Sequence, residues 1–178
     1  MDKLSSTQIG AIAENHVANM LMITSGGRLS AFQPLADDDG IDLLIYDKKS
    51  GRAMPAQVKC RTVTTNRAGK AERSDSVHFE LLKAAYRDRS ACAIFVLLTE
   101  DATAIALAWV FPLSDMPKYA RKGTIGDDAK KYVVRCSRAP DTKDKHSKVR
   151  CSPVDIGRRI LTLIEGTASP PPPARGAA

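Results

Sequence analysis

The sequence predicts a mixed α/β domain with one central sheet, and three observations carry that expectation. Residues 7–24 place Ile9, Ala13, Val17, Met20 and Leu21 at helical spacing. Short strand-like runs separated by turn residues follow, near 28–34, 41–47 and 53–63. Residues 92–98, CAIFVLL, are apolar and β-branched enough for a strand buried on both faces. Helices and strands in this order pack as layers about one sheet.

The elements follow in turn. Ser and Thr just ahead of the apolar stripe that starts at Ile9 supply a cap for the first helix, and Gly26-Gly27 ends it. The acidic turn Asp37-Asp38-Asp39-Gly40 separates the first two strands, and Lys48-Lys49-Ser50-Gly51 joins the second to the third. Residues 64–75 are polar, basic and without period, which reads as a loop. A helix is expected over 81–88, a strand over 104–111 beside 92–98, and a short amphipathic turn over 114–122. An edge strand at 132–136 and a charged loop over 138–150 precede a last helix at 154–165. That helix has Ile156, Ile160, Leu163 and Ile164 on one face. The expected order is thus α-β-β-β-α-β, in one domain spanning 1–166. A Pro-rich tail, 167–178, is too poor in apolar residues to fold.

Composition narrows the function. The 178 residues are 43% hydrophobic and 26% charged, as in ordinary globular domains. No apolar run approaches the roughly 20 residues that span a bilayer, and the start lacks the basic-then-apolar order of a secretory signal. A cytoplasmic protein with no membrane partner is expected. The cysteines at 60, 92, 136 and 151 are then reduced thiols, and Cys136, His146 and Cys151 fit no familiar zinc spacing. The net charge of +7 is uneven. Residues 1–117 hold 13 basic and 14 acidic groups, whereas 118–178 hold 14 and 6. A basic third suits phosphate, and it suits a solubilising surface equally well.

The chemistry is carried by a few strand positions. Gln57 and Lys59 are two apart, so on a strand they leave the same face, about 7 Å from each other. A hairpin centred between Lys49 and Ser50 pairs residues whose numbers sum to 99, which sets Asp42 against Gln57. Leu43, Ile45, Ala56, Val58 and Cys60 then share the opposite, core face. A carboxylate, an amide oxygen and an ammonium in one patch are equipment for holding a hard divalent cation beside a proton donor. The same three residues also make an ordinary surface ion pair with a neighbouring amide. Glu14, in line with Gly10, Val17 and Leu21, flanks the apolar stripe of the first helix.

Gly10-Ala-Ile-Ala-Glu14, then Asp39-Gly-Ile-Asp42-Leu-Leu-Ile, then Gln57-Val-Lys59 resembles the signature of the PD-(D/E)XK nuclease superfamily. The Gly-Ile-Asp and Gln-x-Lys forms look most like the branch of Mrr-type restriction endonucleases and archaeal Holliday junction resolvases. The resemblance covers about residues 8–100. It implies a restriction endonuclease-like core, a central mixed sheet flanked by helices. It further implies an endonuclease that hydrolyses phosphodiester bonds in DNA by metal-activated water, with Mg2+ or Mn2+ as cofactor. Asp42, Gln57 and Glu14 would bind the metal and Lys59 would assist hydrolysis. Ile41 stands where the family has its proline, and Gln57 where it has an acid, which weakens the expected metal site by one charge. An inactive nucleic-acid-binding module of the same fold is the alternative. Arg61, Arg67, Lys70 and Arg73 follow the motif strand and are the candidate DNA contacts. A homodimer would supply the two active sites that cutting both strands often needs.

Overall fold

A computed structural model describes residues 4–35, 40–63, 76–82, 90–120, 131–139 and 143–166. The expected loop at 64–75, the tail from 167 and part of the expected helix at 81–88 lie outside them. The first helix, α1 (Ser6–Thr24), is capped by Ser5, whose hydroxyl accepts the Gln8 N–H while the Gln8 side chain accepts the Ser5 N–H. Gly26 and Gly27, both at positive φ, end it. Its buried face is Ala13, Val17 and Leu21.

Six strands form the central sheet: β1 (Leu29–Phe32), β2 (Leu43–Asp47), β3 (Arg52–Thr62), β5 (Cys92–Leu98), β6 (Ile105–Pro112) and β8 (Arg150–Cys151), in that spatial order. The β3–β5 pair is parallel and the other pairs are antiparallel, so the sheet is mixed. The β2–β3 ladder runs from Leu43↔Ala56 to Asp47↔Arg52, the register deduced from the turn.

A mixed α/β fold with helices flanking a central sheet therefore stands, but one element changes type. Residues 76–82, whose end was expected to start a helix, form strand β4 (Ser76–Leu82), paired antiparallel with β7 (Lys131–Ser137). Val77, Phe79 and Leu81 are buried at a period of two, and Phe79 stacks on Phe95 of β5 with centroids 4.6 Å apart. The helix expectation weighed Leu81 and Leu82 with the residues after them and overlooked the alternation before them. The β7 strand likewise belongs to this second, two-stranded sheet and not to the edge of the central one.

The central sheet is buried on both faces at β5, every residue of which is inaccessible. One face meets α1 and α3 (Ile156–Gly166) through Ala56, Val58, Ile94 and Val96 against Val17, Leu21, Ile160 and Ile164. The other meets β4 and β7 through Ala93, Phe95 and Trp109. A short 3-10 turn leads into α2 (Met116–Tyr119), which closes the end of that second core. Cys136 and Cys151 fall in cores on opposite faces, and His146 is buried with its Nε2 3.0 Å from Tyr119 O. They form no zinc site.

Candidate active site

Chain direction at the start of β2 decides where the Asp42 carboxylate goes. The hairpin register carried one step further would set Asp42 face to face with Gln57. Instead the Asp42 N–H donates to Ala56 O at 3.0 Å, one residue out of register, as at a β-bulge. The ladder stops there, and Val58 N–H is left facing the side that β2 has vacated. The Asp42 carboxylate fills the vacancy, its Oδ2 accepting the Val58 N–H at 2.6 Å. The same oxygen lies 4.0 Å from Lys59 Nζ, with the Asp42 side chain 10% and Lys59 37% exposed. Asp42 and Lys59 are therefore brought together where β2 begins and β3 turns from an antiparallel neighbour to the parallel β5.

Gln57 sits beside them on β3, in register with Ala93 of β5. It is 8% exposed, and among the described residues its Oε1 is buried without a hydrogen-bond partner. Such an oxygen costs about 1–3 kcal/mol when it is left without a partner. Asp42 and Gln57 offer hard oxygen donors of the kind that hold Mg2+ or Mn2+. No group of three His, Cys, Asp or Glu side chains suited to a metal occurs among the described residues.

Glu14 is half-buried on α1, the helix that meets the end of β3 at Cys60. The half-buried Cys60 thiol donates to Ile9 O of α1 at 3.8 Å. Burial pushes that thiol up, Arg61 and Lys59 oppose the shift, and the carboxylates of Glu14 and Asp42 add to it.

Of the candidate DNA contacts, Arg61 is exposed two positions beyond Lys59, its guanidinium on Cys60 O at 3.2 Å. Arg67, Lys70 and Arg73 lie outside the described residues. The other basic cluster is partly structural. Lys145 Nζ donates to Lys118 O and Ala120 O at the end of α2, and Arg150 to Ala139 O.

One feature of this face escaped the sequence reading. Phe32, Leu44 and Tyr46 are 55%, 39% and 36% exposed on the side of β1 and β2 away from α1. The run Leu43-Leu44-Ile45-Tyr46, apolar on both faces of a strand covered on one, was the signal.

No family model matches the chain, and no curated protein sequence does. Among solved structures it is similar to a bacterial homing endonuclease, I-Ssp6803I, at 19% identity with a TM-score of 0.56. The alignment covers 92% of this chain and 95% of that one. At that identity the likeness is one of fold.

Proposed function

From the fold of a DNA endonuclease, we propose that the chain is itself an endonuclease of the PD-(D/E)XK kind, hydrolysing phosphodiester bonds in DNA with Mg2+ or Mn2+. The observation that carries the reading is the Asp42 carboxylate 4.0 Å from Lys59 Nζ, with Gln57 two positions before Lys59 on the same strand and its Oε1 buried without a partner among the described residues. Asp42 and Gln57 would hold the cation, and Glu14 would complete its surroundings from α1. The cation, when bound, supplies the positive charge that polarises a phosphate.

The chain's own residues do the rest. Val58 N–H fixes the Asp42 carboxylate through Oδ2. Lys59 stands where its ammonium can orient an attacking water or neutralise charge developing on the phosphate. Arg61, on the same strand, is placed to meet the backbone of the bound strand. The masking of Gln57 and Asp42 from solvent strengthens each of these interactions by lowering the local dielectric.

Purified chain incubated with duplex, single-stranded and four-way-junction DNA tests the reading. Cleavage that requires Mg2+ or Mn2+ and is lost in Lys59→Ala supports it. DNA binding without cleavage under either ion would instead make the chain an inactive binding module.

A further inference from the structure

The bare face next to the site has a pattern of its own. Two cross-strand rows lie on it: Ser30, Tyr46 and Ala53 in one, Phe32, Leu44 and Pro55 in the other. Among the described residues the β4–β7 layer packs on β5 and β6 and not on β1 and β2, where Phe32, Leu44 and Tyr46 are exposed. Tyr46 stands between two small residues, and its hydroxyl reaches toward the turn, 4.0 Å from where a Cβ on Gly51 would lie. Both faces of its row are thereby kept free of bulk. The rows carry no charge. Lys59 lies at one end beside Asp42, and the exposed turn residue Lys49 lies at the other, while Lys48 Nζ donates to Gly27 O at 2.8 Å. Same-face positions along a strand are about 7 Å apart, so Leu44 and Tyr46 run straight away from Asp42.

We infer that this face is a stacking platform, on which unpaired bases of the DNA strand held at the active site lie against Tyr46 and Phe32. This deepens the endonuclease reading and rests on it. A duplex hides the π-faces of its bases, whereas single-stranded segments present them to aromatic side chains. Basic groups at the two ends of an uncharged aromatic strip suit a backbone that passes over it. The substrate class is accordingly DNA with a locally single-stranded stretch. A second copy of the chain fits the face less well. Six side chains in two rows fall far short of the roughly 20–30 residues a side that stable interfaces use.

The test is binding of fluorescein-labelled oligothymidylate, and of a duplex of equal length, to the full chain in chelator, where no cleavage occurs. Tyr46→Ala and Phe32→Ala should each weaken single-strand binding by about tenfold, while Tyr46→Phe keeps it and duplex binding stays nearly constant. Both residues are exposed, and circular dichroism with thermal melting verifies that the variants fold. Unchanged single-strand affinity in both alanine variants overturns the inference. So does a wild-type dimer in sedimentation that Phe32→Ala dissociates, because the face would then belong to a second copy. If wild type cuts duplex but ignores the single strand, the platform fails and the endonuclease reading stands. If the aromatic variants lose single-strand binding while no DNA is ever cut, the reverse holds.

Discussion

Gln57 is the residue on which the site turns. An amide in place of a carboxylate keeps an oxygen ligand but removes one negative charge. Gln57→Glu should therefore tighten Mn2+ binding by about tenfold, read by calorimetry. Without metal the new carboxylate would be buried beside Asp42, and like charges disfavour one another. The variant should melt below wild type in chelator and recover with Mn2+, whereas a melting point indifferent to metal would remove Gln57 from the site. Asp42 has a second task that its motif does not reveal. Read only as a metal ligand, it could be deleted at little cost. Because its carboxylate caps Val58 N–H, Asp42→Ala should cost about 1–3 kcal/mol, and Asp42→Asn, which keeps an acceptor, should cost less.

Asp47 is the other buried acid, inaccessible at the end of β2. Arg28 grips both its oxygens at 2.8 Å, and Ser50 and the Lys49 N–H add to the set. The Arg28 guanidinium, with those bonds, holds this carboxyl far below the usual range. A depressed folded value contributes stability that is present above the unfolded value of about 3.9 and is lost as pH falls through the folded one. Asp47→Asn should lower the melting temperature at pH 7 by on the order of 10 °C. The gap from wild type should close as the pH is taken well below 4, and a gap constant with pH would contradict the assignment.

At the scale of elements, α1 and α3 meet through a glycine. Gly157 N–H donates to Thr24 Oγ1 at 3.0 Å, and a Cβ there would collide with the same hydroxyl and the backbone after it. Gly157→Ala should destabilise by about 2 kcal/mol. Gly10, on α1 with open space around it, should stabilise by about 0.5–1 kcal/mol when made Ala. Urea unfolding of the pair checks both signs. What was legible in the sequence at this scale followed from period. The α1 stripe, the β2–β3 register and the buried β5 each rest on a repeat that burial enforces, and the structure shows all three. The β4 strand was missed because its partner, β7, lies over fifty residues away, and pairing at that distance leaves only a weak alternation in the local sequence. The departure of Asp42 from the ladder was also not legible. It depends on where β2 begins relative to β5, a property of the assembled sheet.

At the scale of the molecule, the positive charge resides in the last third of the chain, yet its cations are partly consumed by structure. Lys145 closes the end of α2 and Arg150 holds Ala139. Arg61, by contrast, is exposed on the strand that bears Lys59. Arg61→Ala should flatten the dependence of log affinity on log salt by about 0.9 for duplex DNA, the slope of one phosphate contact. Lys143→Ala should leave it unaltered. The opposite pattern would move the DNA to the basic C-terminal third.

The proposed endonuclease needs a divalent cation held by Asp42 and Gln57, and binding of that cation needs no choice of DNA. Calorimetric titration of the metal-free chain with Mn2+, beside Asp42→Asn, is the direct measurement. Wild type should bind one ion, and the variant should bind it at least about tenfold more weakly while melting within a few degrees of wild type. Equal affinities in the two proteins, or no binding by wild type, would contradict it.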